Sequence, residues 1–220
     1  MQKLIFLKYV SCAMKKTNEK KYRFAVDVDD VLRSLLCNMV TLYNEEFGDD
    51  LTCDEIDDYN VAKSFPKVEE KYGSAAAWFF TEHAKTLFKK SEPLDGAVEA
   101  INKLANYGDV YIVTKQAGIL NKVYALEWLE ECGVKYNAIC FVEDKSIIRC
   151  DFLIDDYHEN FRNVECSYGV IINAPYNINV SDDYLFEISN CEEIERFDSL
   201  SDFVVFFENN FLNGKVRNRK

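Results

Sequence analysis

Short runs of β-branched and aromatic residues alternate along this chain with segments of helical periodicity, and that alternation restricts the fold more than any other feature. Runs at 22–28 (YRFAVDV), 110–114 (VYIVT), 138–142 (AICFV), 152–154 (FLI) and 169–172 (GVII) read as short buried strands. Between them, 95–106 carries Val98, Ile101, Leu104 and Ala105 at helical spacing and is closed by Gly108. The next such segment, 120–132, carries Val123, Leu126 and Leu129 and is closed by Gly133. The pattern predicts an α/β fold, a doubly wound parallel sheet whose ligands sit beyond the carboxyl ends of the strands. EEIERF and SLSDFVVFFENN predict one more strand and a final helix.

One segment breaks the alternation. Residues 34–88 are too long for a structureless loop, and Leu36, Met39, Val40, Tyr43 and Phe47 form a helical stripe. They predict a small helical cap inserted after the first strand. The core is then 21–33 together with 89–212, flanked by a leader at 1–20 and a frayed basic tail at 213–220.

Composition narrows the function. A net charge of −12, from 38 acidic against 26 basic residues, repels a polyphosphate backbone and excludes polymeric nucleic acid as a natural partner. The eight cysteines show no C-x-x-C pair, so most are expected to be reduced core residues. Lys8 interrupts the only early apolar run after four residues, too soon for a secretory signal, and Met14 is an equally good start. No stretch approaches the roughly 18 apolar residues of a membrane span. The expectation is a soluble, cytoplasmic protein without membrane association, monomeric or homodimeric.

Adjacent aspartates recur in so acidic a chain, but only two pairs follow directly on a buried strand: FAVDVDD at 24–30 and FLIDD at 152–156. Strand ends are where such a sheet places its ligands, so both clusters belong beside one crevice. Asp27 and Asp29, two apart in extended backbone, point to the same side. Carboxylates so close invite a shared proton or a hard cation, and magnesium takes a few carboxylate oxygens with water and phosphate oxygens. Asp155 or Asp156 would supply a third ligand. The clusters lack the Gly and Glu spacing of a calcium loop.

DVDDV at 27–31, Thr114 ending VYIVT, Lys145 in VEDKS, and Asp155 with Asp156 after FLI resemble, in that order, the four motifs of the haloacid dehalogenase (HAD) superfamily of phosphatases. The resemblance implies a magnesium-dependent phosphomonoester hydrolase with a HAD-like Rossmannoid core. Asp27 would attack phosphorus and form an aspartyl phosphate. Asp29 would act as acid and then base, its backbone carbonyl on the metal. Thr114 would bind a phosphoryl oxygen and Lys145 would neutralise charge. The metal set implied is Asp27, Asp29, Asp155 and Asp156, with Asp156 preferred over Asp155 as the direct third ligand. Two departures stand out: Asp30, where many relatives have glycine and where a surface-facing side chain is expected, and Lys115-Gln116, where nucleotidase relatives tend to carry a small hydroxyl residue and proline. Lys115 is a candidate phosphate contact.

Within the superfamily, FKKSEPLDGAVEAINKLA and EDKSIIRCDFLIDD, in the segment 88–156, resemble the 5′(3′)-deoxyribonucleotidases. In those enzymes cap aromatics stack on the base, and the matching candidates are Tyr59, Trp78, Phe79, Phe80 and Phe88. The implied substrate is a nucleoside monophosphate. A capped phosphatase for another small metabolite and an inactive binding module are the competing readings. His83 is assigned to a cap helix and His158 to an exposed loop.

Overall fold

The computed structural model describes residues 22–212, so the expectations for the leader and for the tail at 213–220 lie outside the described residues. The first apolar run becomes β1, Tyr22–Val26, ending just before the first acidic cluster. It pairs in parallel with β2, Gly108–Thr114, and with β4, Phe152–Asp155. With β3 (Ala138–Phe141), β5 (Tyr168–Ile172) and β6 (Glu193–Phe197) the sheet has six parallel strands in the order β3-β2-β1-β4-β5-β6. The order reverses at β1, which places the ends of β1, β2 and β4 at the switch point where doubly wound sheets bind ligands.

Side chains alternate across the sheet as strand geometry requires. Phe24, Val26, Val110, Ile112, Phe152 and Ile154 face one layer, packed with the buried sides of Ala97–Leu104 and Leu200–Phe207. Ala25, Val113, Leu153 and Ile171 face the other, against Phe161, Val164 and Leu185. Gly108 departs from its expected place as a helix terminator. It opens β2, where a Cβ would stand 2.2 Å from the Tyr22 carbonyl oxygen, so only glycine lets the strands close. Gly133 does end its helix, at φ +68°.

The insertion is helical: α1 (Leu35–Phe47), α2 (Val61–Ser64), α3 (Pro66–Tyr72), α4 (Ala75–Ala77), a π turn at Trp78–Glu82, and α5 (Ala84–Lys89). Asn60 caps α2 through the amides of Ala62 and Lys63. The expected stripe Leu36, Met39, Val40 and Tyr43 is buried with Phe65, Val68, Trp78, Phe79, Leu87 and Phe88 in a cluster of its own. The chain leaves and re-enters the sheet layer side by side: Ser34 N–H donates to the Glu92 carbonyl at 3.1 Å and Leu94 N–H to that of Leu32 at 2.8 Å. The remaining helices are α6 (Ala97–Leu104), α7 (Gly118–Glu131), α8 (Asp182–Ile188) and α9 (Leu200–Phe207). Sequence periodicity missed α8, which has only two turns.

One cysteine pair departs from the reduced expectation. Cys37 on α1 and Cys53 in the turn below it are disulfide-bonded, their Cα atoms 5.4 Å apart, while Cys132, Cys140, Cys150, Cys166 and Cys191 are free. Among the described residues no helix is long and apolar enough to cross a membrane.

Candidate active site

β1 delivers Asp27, whose amide is held at 3.0 Å by the Ile154 carbonyl of β4. The chain then turns back on itself, with Leu32 and Arg33 amides both donating to the Val28 carbonyl at 2.9 Å. Asp30 sits in this loop at φ +53°, a conformation that glycine takes freely and aspartate tolerates. Its expected surface orientation is corrected: the carboxylate accepts the Leu36 amide at 2.9 Å, capping α1 in place of Ser34, and lies 3.4 Å from the Tyr176 hydroxyl. Burial pushes the Asp30 carboxyl up to about 7.

The four motifs converge. Lys145, in a 3-10 turn after β3, extends a fully buried ammonium to 2.9 Å from Asp27 Oδ1 and pairs with Asp155 Oδ2. Burial opposes that charge, but Asp155 and Asp27 outweigh it and hold the lysine above its ordinary value. The other Asp155 oxygen accepts the Tyr157 amide at 3.0 Å and the Asn160 side chain at 2.9 Å. Burial nevertheless pushes the Asp155 carboxyl up to about 6. Asp156 Oδ2 accepts the Tyr176 hydroxyl, and burial raises this carboxyl too. Thr114 ends β2, 1% exposed, on the same side.

One oxygen from each of Asp27, Asp155 and Asp156 lies within 4.8 Å of the others. Asp27 Oδ1 is buried and, among the described residues, receives no directed hydrogen bond, the Lys145 ammonium standing 2.9 Å away as an ion pair. Three crowded, buried carboxylates fit a divalent cation, since a hard ion would offset the repulsion that burial amplifies. The Asp29 carboxylate is not in this set. It accepts Arg33 at 2.9 and 2.5 Å on Oδ1 and Gln116 at 2.7 Å on Oδ2, and burial raises its pKa against these partners.

Above these groups opens a cavity of about 450 Å³, with Asp27, Asp29, Thr114 and Lys145 in its lining and Leu35, Tyr59, Phe80 and Phe88 contributed by the insertion. The model of the family 5′ nucleotidase, deoxy (pyrimidine), cytosolic type C protein, matches residues 22–197, a span holding every one of these residues. The chain belongs to that family.

The 5′(3′)-deoxyribonucleotidases of Bacillus subtilis and of Bacillus phage SPbeta are each 27% identical to it over 180 residues, covering 78% of this chain and 95% of theirs. Among solved structures, a haloacid dehalogenase-like hydrolase from Streptococcus pneumoniae shares the fold at TM-score 0.56 and 11% identity, covering 85% of this chain and 98% of that one. A HAD-hydrolase from Bacillus subtilis bound to magnesium does so at TM-score 0.52 and 17% identity, covering 85% and 99%. By its family this chain is a hydrolase of phosphoric monoesters, and its fold is the one those HAD-like hydrolase structures share.

The aromatic candidates divide. Phe80 and Phe88 line the cavity, their rings 5.9 Å apart. Asn121 of α7 holds the Phe80 carbonyl at 2.9 Å. Tyr59 also lines it, but one face is stacked on Tyr157 at 3.7 Å. Tyr59 is 49% exposed as a residue, while burial of its hydroxyl, followed by the fields of Asp156 and Asp27, raises the phenol's pKa. Trp78 and Phe79 are corrected: neither lines the cavity. Successive residues of a helical turn diverge around the axis, so with Phe80 facing the cavity its neighbours turn inward, Trp78 against Tyr72 and His83 and Phe79 against Phe65. Lys115 lines the cavity with its ammonium paired to Glu143 at 2.6 Å. His158 is half-buried rather than exposed, its Nδ1 without a hydrogen bond, and burial lowers its pKa.

Sequence reading passed over Arg33, Tyr157, Tyr176 and Asn160. Arg33 left one signal, a lone charge inside the apolar run VLRSLL. Gln116 stood out only as a departure from the relatives' proline.

Proposed function

We propose that the protein is a magnesium-dependent 5′-nucleotidase that dephosphorylates (deoxy)ribonucleoside monophosphates through an aspartyl phosphate on Asp27. The observation that carries this reading is the position of the buried Lys145 ammonium, between Asp27 and Asp155, on the floor of a cavity with apolar and aromatic walls. Lys145 faces the Asp27 carboxylate and shields the incoming phosphoryl charge, so the carboxylate can attack phosphorus. Thr114 donates its hydroxyl to a phosphoryl oxygen. Asp29 gives its proton to the departing ester oxygen and later takes one from the water that opens the acyl phosphate.

Asp27 and Asp156, with the carbonyl of Asp29, would hold magnesium, which when bound supplies positive charge for the phosphoryl oxygens. Asp155 then acts as the partner of Lys145. Residues 34–88 act as a cap, and Phe80 and Phe88 are the surfaces on which a base would stack, worth about 1–3 kcal/mol each. The cavity suits one mononucleotide, and the overall charge of −12 disfavours a polymer.

The deciding experiment is kcat/KM on a panel of nucleoside 5′- and 3′-monophosphates and sugar monophosphates with magnesium present. Nucleotides are expected to exceed sugar phosphates by about tenfold or more, the value of one stacked ring. Equal or higher activity on sugar phosphates would overturn the nucleotide assignment.

A further inference from the structure

Arg33 is fully buried, and its guanidinium joins Asp29 to the end of the inserted helices. Nε and Nη2 both donate to Asp29 Oδ1, while Nη1 donates to the Phe88 carbonyl at 2.5 Å, at the end of α5. Its guanidinium lies 5.2 Å from the Phe88 ring and 5.3 Å from that of Trp128. The Arg33 backbone also pairs with Pro93, where the chain leaves and re-enters the sheet layer side by side. A carboxylate oxygen has two in-plane lone pairs, and two N–H donors fill both on Oδ1. Oδ2 accepts only Gln116 Nε2 among the hydrogen bonds formed by the described residues, so it retains an open lone pair. Gln116 Oε1 is buried and has no hydrogen-bond partner among the described residues.

Building on Asp29 as the acid and base, we infer that Arg33 and Gln116 are positioning residues that confine its proton to Oδ2. Arg33 saturates Oδ1 and ties the carboxylate to the root of the cap helices. Gln116 serves both protonation states: its amide N–H donates to the ionised Oδ2, and the same amide turned over offers Oε1 to the protonated one. In the forward step the Asp27–phosphorus bond forms, the phosphorus–ester bond breaks, and the Oδ2 proton moves to the leaving oxygen, which departs as an alcohol. Asp29 is left ionised, with Arg33 compensating its charge. This is a device of residues 33 and 116 themselves.

The test compares kcat/KM, which reports transfer to Asp27 alone, on a nucleoside 5′-monophosphate and on p-nitrophenyl phosphate, whose phenolate leaves without a proton. Gln116→Met is expected to lose about tenfold and Arg33→Met about 100-fold on the nucleotide, the second at the lower end of the 10²–10⁴-fold range a positioned acid supplies and the first a fraction of it. Both should lose at most about threefold on the aryl ester, the small change expected when no proton is needed. If Arg33→Met does not fold, Gln116→Met alone decides, because that side chain lies outside the segments that join the insertion to the sheet layer. Equal losses on both esters would overturn the inference while leaving the phosphatase reading intact. A wild-type protein that hydrolyses neither ester would overturn that reading, and the inference with it.

Discussion

The Lys145 ammonium stands 2.9 Å from Asp27 Oδ1 while pairing with Asp155, so one buried cation serves two carboxylates from different strands. Lys145→Met should reduce kcat/KM by roughly 10²–10³-fold, as removal of one preorganised donor does. It should also destabilise the fold by about 3–5 kcal/mol at pH 8, because breaking a buried pair strands its partner. Asp155 then has its folded pKa raised further above the unfolded value, so its protonated form is the one the fold accepts. The deficit should shrink as pH falls from 8 to 5. Urea denaturation of both proteins at these two pH values checks the sign.

Phe80 and Trp78 lie two residues apart and differ in what they touch, cavity for one and helix cluster for the other. Phe80→Ala should raise KM for nucleotides about tenfold through the lost stacking surface, with melting temperature little changed. Trp78→Ala should cost about 3–5 kcal/mol of stability and leave KM close to wild type in the folded fraction. A Trp78→Ala protein of normal stability and high KM would reverse the assignment of these two rings.

The strands and the motif order are legible in the sequence because each depends on local information: YRFAV is a buried run wherever it occurs, and Asp27, Thr114, Lys145 and Asp156 each follow such a run. Pairings made by the fold are not. Arg33 reaches Asp29 because the loop at 28–33 folds back on Val28, and nothing in VLRSLL states that curvature. Gly108 looks like a helix terminator by position, yet its role comes from the Tyr22 carbonyl, 86 residues earlier by numbering. The facing of Trp78, Phe79 and Phe80 depends on the phase of a π turn, which three consecutive aromatics leave undetermined. Cys37 and Cys53 are likewise joined by the return of the chain beneath α1 rather than by any spacing signature.

Glu159 tests the electrostatics at the cavity rim. The Tyr184 hydroxyl on Oε1 at 2.5 Å, followed by Arg162 on Oε2 at 2.6 and 2.9 Å, holds its carboxyl below the ordinary range. A depressed folded pKa contributes stability that is present above the unfolded value, about 4.3, and lost as pH falls through the folded one. Glu159→Gln should therefore lower stability by about 0.5–1 kcal/mol at pH 7, a partly exposed ion pair's worth. The difference from wild type should vanish toward pH 3. Denaturation midpoints measured across that range check it, and a gap that widened in acid would contradict the pairing.

Asp155 and Asp156 are neighbours with different partners, and magnesium titration separates the roles proposed for them. Asp155 spends both oxygens on protein: Oδ2 on Lys145, Oδ1 on the Tyr157 amide and Asn160. Asp156 holds the Tyr176 hydroxyl on Oδ2 and shares the space between Asp27 and Asp155. If Asp156 is the metal's ligand, Asp156→Asn weakens metal binding while leaving Lys145 paired. The magnesium concentration for half-maximal rate should then rise by about tenfold or more, since even groups that only support ligands are worth 10–100-fold. Saturating magnesium should restore a good part of the rate. Asp155→Asn should do the opposite, lowering kcat through a misplaced Lys145 with the magnesium requirement nearly unchanged. Chelation with EDTA should abolish wild-type turnover and added magnesium should restore it. Persistence of full activity in EDTA would remove the metal from the site, and a magnesium shift confined to Asp155→Asn would exchange the two aspartates' roles.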